Sequence, residues 1–318
     1  MNDKFISCDW GTTSFRLRLV DVPTLGILAE ISAKQGVAAT YTFWESQSKT
    51  DRISFYMEFL QQQIGLLEKE ARQSLNGLII IISGMASASI GMLELPYKQI
   101  PVRVDNADFG IHFFPPADQF NHTVVLVSGL CSANDVMRGE ETMIAGSDVS
   151  TEAAAQLFIF PGTHSKHILV QKGWIVEFKT YMTGEVFDLL SNKSILAGSV
   201  AAGKLATDET KMFRQGVHDS VEANILNSVF HVRTNHLFGS MDKACNYHYL
   251  SGLLIGEELK DLKNTNYSSI TIVSTGSLSL LYAQALAILD DTSEIRQLDA
   301  AAALIKGQSL IYYQHLSK

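Results

Sequence analysis

The most informative stretch of this chain is Asp9-Trp10-Gly11-Thr12-Thr13-Ser14-Phe15-Arg16. It lies between two apolar runs, residues 5–8 and 15–20, which are both typical of β-strands, so the stretch predicts a tight hairpin turn. Backbone N–H groups and small hydroxyls in such a turn can wrap phosphate oxygens. The aspartate at the end of the first strand suits Mg²⁺, which binds one or two carboxylates together with phosphate oxygens and waters. A hairpin turn that binds nothing is the alternative.

The composition is that of a globular protein with room for two domains. The 318 residues are 46% hydrophobic and 18% charged, and the formal net charge is −8. This charge argues against a general role on nucleic acids or membrane surfaces, although a few local cations would suffice for an anionic small substrate. The three cysteines are far apart and form no CxxC pair, so we expect a reducing compartment and no disulfide framework.

We next considered sequence signals for export and for membrane insertion. The N-terminus shows no basic region followed by an apolar stretch and a cleavage site. The longest apolar run, residues 78–82, is too short to span a bilayer, and we interpret it as a buried central strand. We therefore expect a cytoplasmic protein.

The first half of the chain predicts a mixed sheet. Strands are expected at residues 4–9, 14–21 and 27–33, followed by a helix at 51–73 and by strands at 77–82 and 123–127. Three antiparallel strands followed by alternating helices and strands indicate a mixed sheet flanked by helices.

The second half repeats this opening. A strand at 157–160 ends in a Gly-Thr turn at residues 161–166, and strands are expected at 167–170, 174–178 and 270–274, with a helix at 280–288. The residues after the last strand, Thr275-Gly276-Ser277, mirror Ser83-Gly84-Met85 after the fourth strand of the first half. Such a duplication is stronger evidence than either turn alone. We place the boundary near residue 150, at a polar break.

Two duplicated halves with Gly-Thr hairpins resemble the actin-like ATPase fold, and the chain is similar to the 2-dehydro-3-deoxygalactonokinase family. The motifs that carry the resemblance are Asp9-Trp10-Gly11-Thr12-Thr13, Ser83-Gly84-Met85, residues 136–142, residues 161–166, Met182-Thr183-Gly184-Glu185 and residues 250–256. The resemblance implies an α/β protein of two ribonuclease H-like domains, 1–149 and 150–318, each with a mixed five-stranded sheet flanked by helices, and a cleft between the domains. It also implies an enzyme of galactonate catabolism that uses ATP to phosphorylate the terminal hydroxyl of 2-dehydro-3-deoxy-D-galactonate.

The resemblance assigns the first turn to the phosphates of ATP. Asp9 would face Mg²⁺, and Gly11, Thr12 and Thr13 would hold the β- and γ-phosphates. The alternative for Asp9 is that it only caps the turn.

The second half would bind the rest of the nucleotide. Gly162 and Thr163 would contact the phosphates, and Lys166 would neutralise phosphate charge unless it is a solvated lysine at a strand edge. The residues that resemble the adenosine loop are Thr275, Gly276 and Ser277. No part in the site is expected for His164. Residues 182–185 are expected to lie near the substrate or to form a hinge, with no specific role assigned.

Three carboxylates, Asp135, Glu140 and Glu141, precede a helix expected at residues 142–146. Phosphoryl transfer often uses a carboxylate that accepts the proton of the attacking hydroxyl. The resemblance implies that Glu140 or Glu141 is this base, with Asp135 as the next candidate. The alternative is that two of the three only cap the helix N-terminus. Arg138 would pair with the carboxylate of the substrate, and the substrate site would also include Ser83, Gly84 and Met85.

Two other classes of protein stay open. One is a kinase of another sugar or 2-keto-3-deoxy sugar acid. The other is a non-catalytic actin-like sugar-binding regulator, which would be expected to lose Asp9 or the carboxylate cluster. The expected partners are ATP and a small sugar acid, with no nucleic acid and no membrane, and a homodimer is left open.

Overall fold

The predicted hairpin forms the centre of the first of two units in the computed structural model. The structure describes residues 3–47, 51–105, 107, 109–118, 120–262, 265, 267–289 and 294–316. Unit 1 consists of residues 1–151, 173–177 and 300–318, and unit 2 consists of residues 152–172 and 178–299. No helix in these described ranges is both long enough and apolar enough to cross a membrane.

Unit 1 is built on a mixed sheet. The strands of unit 1 are β1 Lys4–Trp10, β2 Phe15–Asp21, β3 Ile27–Ala33, β4 Ile80–Gly84, β5 Lys98–Gln99, β6 Val102–Arg103, β7 Ile111–Phe114, β8 Val124–Val127, β9 Leu130–Cys131 and β10 Val136–Met137. The first helices of unit 1 are α1 Val37–Ser46, α2 Arg52–Ala71 and α3 Glu140–Ala145. The main sheet has the order β3-β2-β1-β4-β8-β7. Strand β1 is antiparallel to β2 and parallel to β4, which is parallel to β8.

The sheet of unit 1 therefore contains the five predicted strands and a sixth, so the predicted count of five is wrong. The additional strand, β7, pairs antiparallel with β8 at the edge of the sheet. It is four residues long and lies between Gly110 and Pro115, which made the segment resemble a loop. Short strands next to proline are typical of sheet edges.

Helix α2 covers one face of this sheet. Its buried residues are spaced three or four positions apart, as on one face of a helix: Tyr56, Phe59, Leu60, Ile64 and Leu67. Trp10, at the end of β1, is fully buried against Tyr56 and Phe59, with ring centroids 5.4 and 5.2 Å away. This packing fixes the end of β1, from which the first turn leaves.

Unit 2 repeats the strand order of unit 1. Its elements are β11 Gln156–Phe160, β12 Ser165–Gln171, β13 Trp174–Tyr181, α4 Thr183–Lys193, α5 Thr207–Glu222, α6 Ile225–Leu237, α7 Lys243–Leu259, β14 Ser269–Val273, α8 Ser277–Leu289 and β15 Ile295–Leu298. The order β13-β12-β11-β14-β15 corresponds to β3-β2-β1-β4-β8. Strand β11 is antiparallel to β12 and parallel to β14, which is parallel to β15. The first residues of β13, Trp174 and Ile175, pair with β6 and belong to unit 1.

The C-terminal helix, α9 Ala300–Leu316, belongs to unit 1, whereas the sequence placed it in a second domain of residues 150–318. The side chain of Gln308 explains this position. Its buried amide nitrogen lies 3.2 Å from the carbonyl oxygen of Cys8, 3.1 Å from that of Ile81 and 3.1 Å from Ser83 Oγ. Tyr312 stacks on Phe5 of β1. These long-range contacts are not visible in the order of elements along the chain.

Candidate functional site

The first turn has the predicted hairpin geometry. The N–H of Gly11 donates to the carbonyl oxygen of Ser14 over 2.9 Å, and the two residues between them, Thr12 and Thr13, are exposed. The N-terminus of α1 supports the turn, because the N–H of Val37 donates to the carbonyl of Gly11 at 2.9 Å. The turn is thus held from behind by a helix while its tip faces outward.

Asp9 lies near the end of β1, next to the first turn. It precedes the last residue of β1 and is paired with Ser83 of β4 in the parallel register. Its carboxylate is 3.2 Å from Arg16 Nη1, and about a third of its side chain (34%) is exposed. Within the described ranges, no three His, Cys, Asp or Glu side chains are grouped so that they could hold a metal ion. Mg²⁺ can be bound through one or two carboxylates together with phosphate oxygens and waters, and its binding at Asp9 stays a prediction.

The ends of β1 and β4 meet the loop before α3. Gly84 has φ of 100°, and a Cβ atom on it would lie 2.8 Å from the carbonyl oxygen of Trp10. A Cβ atom on Gly139 would lie 3.4 Å from Gly84 Cα. The structure therefore brings the predicted residues 9, 83 and 84, and the loop that carries residues 138, 140 and 141, together at the carboxyl ends of parallel strands, where ligands bind in open α/β sheets. Met85 starts the short 3₁₀ turn that follows.

The three candidate carboxylates have different environments. Helix α3 begins at Glu140, two residues earlier than predicted. Glu141 is fully buried, and its two oxygens accept the N–H of Gly139 at 2.7 Å and the hydroxyl of Thr142 at 3.1 Å. Burial and the neighbouring Glu140 raise the pKa of Glu141 to about 8. Glu141 is therefore a buried acid whose oxygens are hydrogen-bonded within the protein, and its raised pKa does not favour the negative charge on which the capping alternative depends.

The other two carboxylates are partly exposed. Glu140 accepts the N–H of Arg138 at 3.0 Å. Asp135 lies apart in the turn between β9 and β10, where it accepts the N–H of Val136 at 2.7 Å. Of the three, Glu140 is both at the carboxyl ends of the strands and accessible.

Arg138 is already engaged by the protein. Its Nη1 is 2.5 Å from both the carbonyl oxygen and the hydroxyl of Ser87, and its guanidinium carbon lies 4.2 Å from the centre of the Tyr97 ring. Its Nε is buried and has no hydrogen-bond partner within the described part of the chain. Arg138 therefore orders residues 87–97 beside the site. No sequence motif pointed to Ser87 or Tyr97, and the pairing of Arg138 with a substrate carboxylate stays a prediction.

The second turn repeats the support seen at the first. The N–H of Glu185, near the start of α4, donates to the carbonyl oxygen of Thr163 at 3.0 Å. A Cβ atom on Gly184 would lie 2.4 Å from the carbonyl oxygen of Gly162, as one on Gly36 before α1 would lie 2.4 Å from that of Thr12. In each unit a glycine at a helix N-terminus allows the helix to approach a Gly-Thr turn. This gives residues 182–185 the role that the sequence did not supply.

Lys166 is buried, so the alternative of a solvated lysine is wrong. It is 6% exposed, and its Nζ donates to the carbonyl oxygen of His164 at 3.2 Å. His164 itself is exposed and lies 2.5 Å from a carboxylate oxygen of Glu185. A role of Lys166 toward phosphates stays a prediction.

A cavity of about 700 Å³ lies within unit 2, beside the second turn. Small-molecule sites in proteins typically have volumes of about 300–1,000 Å³. Of the predicted residues, Gly162, Thr163 and Ser277 line it, while Thr275 and Gly276 lie in the loop just before α8 and are not among its lining residues. The sequence missed several lining residues that come from distant elements, including Lys204, Leu205, Tyr247, His248, Ser251 and Leu281.

Comparison with known proteins identifies one family. Residues 9–311 match the model of the family described as 2-keto-3-deoxy-galactonokinase. A Rhizobium meliloti (strain 1021) protein named as a probable 2-dehydro-3-deoxygalactonokinase is 29% identical over 96% of this chain and 95% of its own length. The 2-dehydro-3-deoxygalactonokinase of Escherichia coli (strain K12) is 30% identical over 65% of this chain and 69% of its own length. A crystal structure of a Sinorhizobium meliloti protein assigned to the same activity superposes with a TM-score of 0.81 at 27% identity, covering 98% of this chain and 97% of that one.

Proposed function

Since this chain belongs to the 2-keto-3-deoxy-galactonokinase family, we propose that it transfers the γ-phosphoryl group of ATP to the terminal hydroxyl of 2-dehydro-3-deoxy-D-galactonate, giving the 6-phosphate. The family match over residues 9–311 carries this proposal, because it includes both Gly-Thr turns and all the candidate site residues. The repeated strand order, and the helix that supports each turn, favour two duplicated ribonuclease H-like domains.

In unit 2, the nucleotide would bind in the 700 Å³ cavity. Gly162 and Thr163 would bind phosphate oxygens, with Lys166 as a nearby cation, and the adenosine would lie toward residues 275–277. Lys204 lines the same cavity and adds a second positive charge for an anionic ligand.

In unit 1, Asp9 and the turn of Gly11, Thr12 and Thr13 would bind Mg²⁺ and the β- and γ-phosphates. A bound Mg²⁺ neutralises the charge that develops on the transferred group. The protein itself contributes the fixed position of Asp9, which β1, β4 and Arg16 hold.

Glu140 is the proposed base. A base must come within hydrogen-bond reach of the hydroxyl proton, and Glu141 is enclosed with its oxygens already hydrogen-bonded inside the protein. Asp135 is held in a separate turn. We assign the sugar acid to the ends of β1 and β4, beside Ser83, Gly84, Met85 and Arg138.

A coupled assay of ADP formation tests the function. We expect turnover with ATP and 2-dehydro-3-deoxy-D-galactonate, and kcat/KM lower for its stereoisomers and for aldohexoses. Efficient turnover of another sugar acid, with none for the galactonate derivative, would contradict the substrate assignment. Absence of turnover with every sugar and sugar acid in the panel would contradict the kinase assignment itself.

A further inference from the structure

A buried carboxylate in unit 2 has four hydrogen-bond donors from three other elements. Glu258 of α7 is 2% exposed. One of its oxygens accepts the hydroxyl of Ser165 at 2.6 Å and Nε2 of His167 at 2.8 Å. The other accepts the hydroxyl of Tyr282 at 2.7 Å and that of Thr183. The site described above uses none of these five side chains for chemistry.

Such a carboxylate is stable in the interior only because it is fully hydrogen-bonded. Burial acts to raise the pKa of Glu258. The hydrogen bond and charge of His167, with the hydrogen bonds from Ser165 and Thr183, outweigh burial and leave the pKa below its ordinary value. Hydrogen bonds to an ionised acceptor are shorter and stronger than those between neutral groups. Glu258 therefore fixes the positions of the four side chains that donate hydrogen bonds to it.

The partners of Glu258 surround the second turn. Ser165 begins β12, two residues after Thr163. Thr183 begins α4, whose Glu185 N–H donates to the carbonyl of Thr163. Tyr282 and Thr183 both line the cavity, whereas Glu258 does not.

We propose that Glu258 is the positioning residue of this cavity: it fixes the turn at Gly162–Thr163, the start of α4 and the wall at Tyr282 in the one arrangement that receives the nucleotide phosphates. The proposal rests on the proposed function in assigning the cavity to ATP. Glu258 acts through its partners and touches no reacting atom. Preorganised donors of this kind need no rearrangement when a charged ligand binds, and this lowers the free energy of binding.

The test is Glu258→Gln, compared with the adjacent Glu257→Gln, whose carboxylate pairs with Lys260 near the surface. Ser165→Ala is a milder second variant that removes one hydrogen bond to Glu258 and a long one from the hydroxyl of Tyr282, and it changes no residue that lines the cavity. Hydrogen exchange of the peptides around residues 160–167 and 182–187 reports the position of the turn without any ligand. Calorimetric titration with ATP, and KM values for both substrates, show how the position of the turn affects ligand binding.

We expect faster exchange in both segments of Glu258→Gln and a smaller increase in Ser165→Ala. Loss of a charge-assisted contact should weaken ATP binding and raise KM for ATP about tenfold. The KM for the sugar acid should stay within about twofold, since only binding at this cavity changes. A general loss of folding would instead affect both substrates equally and speed exchange throughout unit 2. Glu257→Gln should match the wild type in every assay.

Unchanged exchange and unchanged ATP affinity in folded Glu258→Gln would overturn the proposal. So would equal effects on the two KM values in Ser165→Ala. Failure of the wild type to bind ATP would instead contradict the proposed function. Faster exchange at the two segments in Glu258→Gln would then still support the positioning of the turn.

Discussion

Replacing Gly162 with alanine separates the fold of the second turn from its proposed contact with phosphate. Gly162 does not have a left-handed φ, and no described atom lies within 4 Å of the Cβ atom that alanine would add. The variant should therefore fold as well as the wild type, and the smaller entropy of the unfolded chain should stabilise it by about 0.4–1 kcal/mol.

The same methyl group would enter the open space beside Gly162, where we propose that the phosphates bind. A phosphate oxygen that accepts a backbone N–H lies about 2.9 Å from the nitrogen. In the proposed site the phosphates occupy the open space beside Gly162, so the added methyl group would displace them, and a misplacement of about 1 Å can cost about 10²-fold in rate. We expect kcat/KM for ATP to fall by about this factor in Gly162→Ala while the Tm is not lowered.

Two further glycines provide controls for this measurement. Gly198 also has open space around its Cβ position and is not among the cavity residues, so Gly198→Ala should keep wild-type kinetics. Gly184→Ala would place Cβ 2.4 Å from the carbonyl oxygen of Gly162, and this clash should lower both the Tm and the activity. Thermal unfolding and steady-state kinetics with varied ATP measure all three variants. Wild-type kcat/KM in Gly162→Ala would refute the contact between this turn and the phosphates.

Three more predictions concern unit 1. Asp9→Asn should lower kcat about 10²–10³-fold while ATP still binds by calorimetry, because the carboxylate organises charge that matters most in the transition state; wild-type turnover at ordinary Mg²⁺ concentrations would reject this site. Glu140→Gln should lower kcat about 10²–10⁴-fold with little change in KM for the sugar acid, and a variant that keeps a tenth of wild-type kcat would show that the base is elsewhere, with Asp135 as the next candidate. Because the pKa of Glu141 is raised to about 8 in the folded protein, its contribution to stability is full below its unfolded pKa and is lost as the pH rises toward 8. The free energy of unfolding of Glu141→Gln, measured by denaturant titration at pH 5 and pH 8, should therefore rise relative to the wild type at the higher pH, and a difference that does not depend on pH would contradict the buried acid.

Local sequence patterns were sufficient to predict the central strands of both units. The hairpin at residues 9–16, its repeat at 161–166 and helix α2 depend on turn residues and periodic apolar positions that lie close together in the sequence. Their positions agree with the structure to within a few residues.

Features that depend on contacts between distant parts of the chain could not be predicted from local sequence patterns. The consecutive residues Glu140 and Glu141 cannot be distinguished from the local sequence. Only Glu141 is buried, and its carboxylate accepts hydrogen bonds from the N–H of Gly139 and the hydroxyl of Thr142. The burial of Lys166, and the cavity residues on α7 and α8, follow from how helices pack on the sheet. Glu258 lies 93 residues from Ser165, and no local pattern connects the two.

The chemical position of the transferred phosphate is the decisive test of the reaction that we propose for this chain. Wild-type protein should be incubated with ATP, Mg²⁺ and 2-dehydro-3-deoxy-D-galactonate, and the product examined by phosphorus–proton correlation spectroscopy. We expect one new phosphomonoester whose phosphorus couples to the two protons of the terminal carbon, formed in equal amount to ADP. Phosphate on another position of the sugar acid, or release of inorganic phosphate with no phosphorylated sugar acid, would contradict it.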